Sequence, residues 1–524
     1  MLLRTLKFAL ILMALEPLHA QDPFGAAVPG RYLVAYSNGT IPPDAATRAQ
    51  ALGGQLVHRN ERFGIAVVSN VSANALTELR LQPGVQSVLA DRVVSAHAIQ
   101  TRAIPADIAS PAAVEVASPA MTVGTLSPQR APLPVTLSDG LYSSTRGWAV
   151  RQVGGYGAGI PGGPAHGPWD TTQGKGVRIA ILDSGIDANH PDLAPNLALN
   201  ITEVEQSPTT GLPSVCDDGS PQDQQGHGTW TASLAAAALG PATGLVAGVA
   251  PQATLLNIKV LQRMPAIAGD PTTCANGEAS GLLSWVIQGI EDAVAERADI
   301  ISMSLGTLVD LETGEGAGLQ ALFDQVTNTA AQAGVLLIAS AGNDGFDLSN
   351  LRYVELPAQS RGVLSIVAST NPACAENLAA GAVCAPGPIT LPYYSNTGAP
   401  LAALSAPGGS YPAGADADPA NTNTWTVASG WITAACSAGK PDTLVGPPAD
   451  GAHSMGCFGL GHAQYVQAMG TSASAPLAAG VAALVMAAHP NWSAAAVLAA
   501  LRSGATTLPG MAAPQIGAAG AIAQ

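Results

Sequence analysis

The sequence predicts an α/β protein: a large parallel β-sheet covered by helices on both faces, preceded by a small α+β unit. Three observations predict it. After Trp148, apolar runs of strand length recur at residues 177–182, 255–260, 300–304 and 335–340, and runs so nearly continuous suit strands buried on both faces. Helix-like stretches at 229–238, 280–297 and 319–332 separate those runs, the alternation that makes successive strands parallel. Residues 31–97 carry a shorter alternation of their own, set apart by a stretch rich in Ala, Pro, Ser and Thr.

Length and composition bound the possibilities. At about 150 residues per domain, the 524 residues leave room for several domains or one large domain with appendages. Apolar residues make up 47% and charged residues 11%, which excludes disorder for most of the chain. Lys and Arg total 21 against 36 Asp and Glu, a net charge of −15. A surface so poor in cations repels phosphate backbones, and no nucleic-acid partner is expected. No interior run reaches the ~18 uninterrupted apolar residues of a membrane span.

In chain order, the first element is a targeting segment. Arg4 and Lys7 precede the apolar run 8–15, and Leu18-His19-Ala20 offers a small residue at the cut. Residues 1–20 therefore read as a signal peptide, and the mature chain as secreted. The six cysteines, Cys216, Cys274, Cys374, Cys384, Cys436 and Cys457, are even in number and form no C-x-x-C, so metal ribbons and thioredoxin-type chemistry have no support. Closeness along the chain pairs Cys374 with Cys384 and Cys436 with Cys457, leaving Cys216 with Cys274.

Residues 21–97 contain the small unit. Strand-like 31–36, 55–58, 64–68 and 85–90 alternate with helix-like 45–52 and 72–79, the second helix opening on Ser72 as N-cap. The order β-α-β-β-α-β is the split, ferredoxin-like arrangement. Residues 98–147 read as an extended linker open to proteolysis. Residues 148–524 hold the parallel sheet, and ligands of such sheets sit beyond the carboxyl ends of the strands.

Three motifs stand where that rule points. Ile181-Leu182-Asp183-Ser184-Gly185-Ile186-Asp187 ends an apolar strand on Asp183. Gly226-His227-Gly228-Thr229 opens a helix of small residues, and Gly470-Thr471-Ser472-Ala473-Ser474-Ala475-Pro476 opens an apolar one at 477–488. A serine hydroxyl is a weak nucleophile unless a base within hydrogen-bond reach takes its proton. His227 is the candidate base, and Asp183 would fix its tautomer and stabilise the imidazolium. Ser472 at a helix N-terminus has N–H groups and the positive dipole end beside it. Pro476 reads as a first-turn residue, where a missing N–H costs little.

With His190-Pro191-Asp192-Leu193 following the first motif, these segments resemble the subtilisin-like serine proteases, the subtilases, from about residue 148 to the C-terminus; the order Asp, His, Ser is the one known from subtilisin itself. The resemblance implies a three-layer subtilisin-like catalytic domain and a secreted serine endopeptidase made as an autoprocessed zymogen. It implies that residues 21–97 are a propeptide acting as folding assistant and intramolecular inhibitor, cut off somewhere between residues 98 and 147. Proteins and peptides are the substrates so implied, the enzyme is expected to be a monomer, and no membrane association is expected once the signal is removed.

Site residues follow from the same resemblance. Ala339-Ser340-Ala341-Gly342-Asn343 resembles the segment whose Asn side chain, here Asn343, joins the Ser472 backbone N–H as an oxyanion hole. Ser304-Leu305-Gly306 resembles the edge that pairs with an extended peptide. With Ala341 and Gly342 it would wall the primary pocket, whose base would come from the stretch around Glu355. Either the Glu355 carboxylate points inward and favours Lys or Arg at the cleaved position, or it is a surface group paired with Arg352 or Arg361.

The implied chemistry requires no cofactor. Asp192 matches a calcium-binding position of some relatives, but the asparagine-bearing loop that completes that site is not recognisable at 239–249, so a structural calcium is left open. Stretches 202–224, 371–390 and 409–465 exceed the lengths of compact relatives and are expected to be surface loops around the cleft, stapled by disulfides that restrict the unfolded chain. A secreted binding or adhesion protein reusing the scaffold without catalysis is the alternative, and acyl transfer to an amine a third reading.

Overall fold

The computed structural model describes residues 25–96 and 139–524, except 144, 159–165, 208–211, 241–242, 371–388, 402, 411–430, 442–443, 446–456, 461–462 and 512. The signal peptide, most of the expected linker and the expected Cys374–Cys384 bridge lie outside the described residues.

The N-terminal unit runs β1 (Ala27–Tyr36), α1 (Ala45–Ala51), β2 (Gln55–Asn60), β3 (Ile65–Ser69), α2 (Ala73–Arg80) and β4 (Val85–Ala96). The strands pair antiparallel in the order β4-β1-β3-β2, the split arrangement expected. Ser72 caps α2 by accepting the Ala75 N–H at 3.3 Å. Successive residues of a strand face opposite ways, and both faces of this sheet are covered. Val34, Ala66, Val68 and Val88 pack with Ala45, Ala49 and Leu79 of the two helices. Leu33, Ala35, Ile65 and Val67 join the core of the larger unit.

The larger unit is built on β5 (Arg178–Asp183), β6 (Leu197–Thr202), β7 (Thr254–Lys259), β10 (Ile300–Met303), β12 (Leu336–Ser340), β14 (Val363–Ser369) and β15 (Leu404–Pro407). They form one parallel sheet in the order β15-β14-β12-β10-β5-β7-β6. On one face lie α5 (His227–Ala236), α8 (Thr471–Ala488), α9 (Ala494–Ser503) and α10 (Ala518–Ile522), packed on Ile179, Ile181, Leu255 and Ile338. On the other lie α6 (Leu283–Ala295) and α7 (Gly314–Gln332), packed on Ala180, Leu182, Leu256 and Leu337. The alternation along each strand accounts for the three layers.

Two further strand sets surround the sheet. β8 (Leu261–Arg263), β9 (Ala279–Leu282), β11 (Leu305–Asp310) and β13 (Tyr353–Leu356) extend the sheet of the N-terminal unit. The end of β4 lies antiparallel to both β9 and β11, with Val94 opposite Gly281, Ser95 opposite Ser280 and Gly306, and Ala96 opposite Leu305. Ser280 is thus a strand residue, not the helix start that the local pattern suggests, because its neighbours pair with β4. The helix begins at Leu283.

The second set is β16 (Ile432–Ala435), β17 (Leu444–Val445), β18 (Phe458–Leu460) and β19 (Ala463–Ala468). This corrects the expectation of surface loops for the described part of 409–465. Ile432, Ala434, Ala435, Tyr465 and Val466 are buried in the core of α5 and α8, and Trp230 of α5 donates its indole N–H to the Ile432 carbonyl at 3.1 Å. Residues at the end of the expected linker also belong to the larger unit: α3 (Gly140–Ser143) carries Tyr142, 1% exposed, and the amides of Leu141 and Tyr142 both bond the Leu245 carbonyl.

Candidate active site

Asp183 is the last residue of β5 and His227 the first of α5. The His227 Nδ1–H donates to Asp183 Oδ1 at 2.7 Å. Asp183 is fixed in turn by the Ser184 N–H at 2.7 Å on the same oxygen and by the Thr231 hydroxyl at 3.0 Å on the other. A proton held on Nδ1 leaves the lone pair on Nε2. Nε2 is buried and makes no hydrogen bond in this structure, so the bond from Ser472 to His227 is not formed here; catalytic bonds of this kind often tighten only with substrate bound.

The His227 turn has a holder that motif reading missed. Asp223, fully buried, accepts the amides of Gln225, Gly226 and Thr229 at 2.8–3.0 Å and the hydroxyls of Thr229 and Ser184. Its carboxylate thereby serves the free N–H groups that begin α5. Burial pushes its pKa up, while those donors pull the other way. An Asp a few residues before a predicted helix start is a legible signal of such a role. Gly226 has φ of +104°, and a Cβ there would stand 2.6 Å from Cys436 Sγ. The Cys436–Cys457 disulfide therefore packs directly behind the imidazole's backbone. Cys216–Cys274 is the other described bridge, as expected.

Ser472 is the second residue of α8. The turn carrying it is anchored from several sides: the Gly470 N–H bonds Gly408 O at 2.8 Å, the Ser474 hydroxyl bonds Pro407 O at 3.2 Å, and the Ser304 hydroxyl bonds Ser472 O at 2.9 Å. Asn343 follows β12 and uses Oδ1 to accept both the Thr471 N–H and the Thr471 hydroxyl at 2.8 Å. The amide nitrogen is the donor end of the same side chain. Pro476 is the sixth residue of α8, one turn deeper than expected, so its missing N–H falls where helical bonding would have used it.

Of the expected substrate residues, Leu305 and Gly306 pair with β4, while Ser304 turns its hydroxyl to Ser472. Glu355 stands on β13 opposite Leu308 and is 2% exposed. Its carboxyl carbon lies 3.6 Å from the position of a Cβ built on Gly342. The surface alternative is corrected: Arg352 bonds Asp310 at 2.7 Å and Glu312 at 3.3 Å. Asn396 lies beside the same point; its Oδ1 accepts from the amides of Asp344 and Phe346, and its Nδ2 is buried without a partner.

Asp192 is buried, and its carboxylate takes the amides of Gly244 at 2.6 Å and Leu245 at 3.2 Å, with the Tyr465 hydroxyl at 3.4 Å. These are donors rather than the oxygen ligands a calcium ion requires. Among the described residues no cluster of three His, Cys, Asp or Glu could hold a metal.

A model of the subtilase family matches residues 174–518. In sequence the chain is 37% identical to the intracellular serine protease of Paenibacillus polymyxa over 179 residues, 34% of this chain and 44% of that protein. It is 36% identical to thermitase of Thermoactinomyces vulgaris over 177 residues, 34% of this chain and 51% of that one. The matched segments thus span about half or less of those relatives' lengths. Among solved structures, the epidermin leader peptide processing serine protease of Staphylococcus aureus superposes with a TM-score of 0.61 at 17% identity, covering 94% of this chain and 97% of that one. Fervidolysin of Fervidobacterium pennivorans gives 0.59 at 18% identity, covering 96% and 62%. At such identities the likeness is one of fold.

Proposed function

The chain belongs to the subtilase family, and from that premise we propose that it is a secreted serine endopeptidase, made as a precursor that processes itself. The observation that carries the reading is the 2.7 Å bond between Asp183 and the His227 Nδ1, with Nε2 left to take a proton and Ser472 at the start of the adjoining helix. In the proposed reaction the Ser472 hydroxyl oxygen attacks the scissile carbonyl carbon as its proton passes to His227 Nε2. Asp183 holds the imidazole and stabilises its charge. The Ser472 N–H and the Asn343 amide receive the developing oxyanion. His227 then gives the proton to the leaving amine, and a water molecule repeats the sequence to release the acyl group from Ser472.

The N-terminal unit fits the role of intramolecular inhibitor and folding assistant. Its β4 lies between β9 and β11, where a substrate strand would add by main-chain pairing. Ala96 is opposite Leu305, and Leu305 follows Ser304, whose hydroxyl bonds the Ser472 carbonyl. The chain's own bonds just beyond Ala96 are therefore the expected first processing sites. A detachable template suits a parallel sheet, whose non-local contacts form slowly.

The substrate class is Lys or Arg at the cleaved position. Support comes from the buried Glu355, whose carboxyl carbon lies 3.6 Å from a Cβ built on Gly342, the residue before Asn343. Electrophoresis and N-terminal sequencing of wild type beside Ser472→Ala test the activity: shortening that requires Ser472 is expected, and shortening in both overturns self-processing. Peptides with Arg, Leu or Phe at the cleaved position, on wild type and Glu355→Gln, test the pocket. Unchanged relative rates remove Glu355 from it.

A further inference from the structure

An α-helix pairs each carbonyl with the N–H four residues on. For Ser472 that partner position is Pro476, which has no N–H. The carbonyl of the proposed nucleophile is therefore denied its helical donor by covalent structure. The Ser304 hydroxyl approaches that same carbonyl at 2.9 Å. Ser304 is 1% exposed, joins β10 to β11, and immediately precedes Leu305 and Gly306, the pair that holds an extended strand.

We propose that Ser304 is a positioning residue: its hydroxyl replaces the helical bond that Pro476 removes, and so ties the placement of Ser472 to the strand that binds substrate. The inference rests on the endopeptidase reading above. A proline at this point frees an acceptor inside an otherwise buried helix, and an acceptor left unsatisfied there is costly. Supplying the donor from β11's leading residue, and not from the helix itself, gives the first turn of α8 an anchor that moves with the substrate strand. The other anchors of that turn, Gly408, Pro407 and Asn343, come from β12, β15 and the residues that follow them. Ser304 alone among these four adjoins the pairing edge.

The test is a double-mutant cycle in the full chain, purified after its own processing. Ser304→Ala is expected to lower kcat about tenfold, the loss of one well-placed hydrogen bond, with KM within about twofold. Pro476→Ala restores an N–H four residues after Ser472, so adding Ser304→Ala in that background is expected to cost less than about twofold in kcat. An equal loss in both backgrounds, a loss confined to KM, or no loss at all overturns the proposal. Thermal unfolding separates a positioning effect from a folding defect: the Ser304→Ala chain that loses kcat is expected to melt with wild type within a few degrees, and a collapse of melting temperature that accounts for the activity overturns the role. Rate of labelling by a fluorophosphonate gives a second readout that needs no bound peptide strand, and it is expected to follow kcat through the cycle. A wild-type chain that neither labels nor cleaves peptides removes the endopeptidase reading itself, which is a different failure from an active wild type with a silent Ser304→Ala.

Discussion

Arg31 of the N-terminal unit grips Glu205 of the larger unit with both terminal guanidinium nitrogens, at 3.0 and 2.5 Å. Asp91 and Ser284 close the network around the same arginine, and His58 and Trp285 add bonds to Glu205. Glu205→Gln is expected to weaken the hold of the N-terminal unit by about 2 kcal/mol, roughly thirtyfold, because the buried guanidinium loses one of its two carboxylates and keeps Asp91. Retention of the processed unit through gel filtration measures it. Despite burial, His58 and Arg31 bring the Glu205 pKa down to about 2. A depressed carboxyl pKa stabilises the docked state above its ordinary value, so the hold is expected to persist from neutral pH to about 4.5 and fail as pH falls towards 2.

Asn343→Ala removes the proposed oxyanion donor and the acceptor that holds Thr471. Its kcat is expected to fall by about 10²–10³ with a much smaller change in KM. Steady-state kinetics on one peptide substrate decides it; equal changes in both constants would place Asn343 in ground-state binding instead.

Asp223→Ala strips the acceptor from three amides and two hydroxyls at the start of α5. A loss of about 2–4 kcal/mol in stability is expected from the uncapped, buried donors. Thermal unfolding of the Ser472→Ala precursor, with and without the second change, measures it without self-digestion.

Gly226→Ala forces a side chain into a left-handed backbone and against Cys436 Sγ. A cost of about 2–4 kcal/mol is expected, together with lowered kcat, since His227 is the next residue. Removing the bridge with Cys436→Ala and Cys457→Ala opens that space, and the penalty of Gly226→Ala measured by unfolding is expected to shrink in that background.

Glu203 is raised to about 8 by burial and by its shared hydrogen bond with Asp292. A carboxyl raised in the folded state favours folding fully below its ordinary pKa and loses that contribution as pH climbs through the folded value. Stability linked to this pair is therefore expected to decline between about pH 4.5 and 8. Glu203→Gln keeps a donor for Asp292 while removing the charge, and the slope of melting temperature against pH across that window is expected to flatten.

Much of this was legible in the chain alone, for a physical reason. The two-residue and near-four-residue periods that mark strands and helices are local, and so are the turn glycines and strand-end residues around Asp183, His227 and Ser472. Ser280 has a helical local pattern but is a strand residue, because its partner, Ser95, lies 185 positions away. Asp223 is only half legible: four of its donors lie within six residues, but the Ser184 hydroxyl that joins it to the end of β5 lies 39 positions away. The burial of Ile432, Ala434, Tyr465 and Val466 is illegible for a similar reason: the α5 and α8 residues that cover them are distant in sequence or belong to other elements.

The order of elements, the parallel sheet with helices on both faces, the split α+β unit and the residues at the strand ends all follow from local patterns in the chain. Where side chains and strands aim emerges with the folded arrangement: Glu355 inward beside Gly342, Ser304 towards the Ser472 carbonyl, β4 into the groove between β9 and β11. Periodicity constrains neighbours a few residues apart, whereas the direction of a buried polar group is set by whichever distant partner satisfies it.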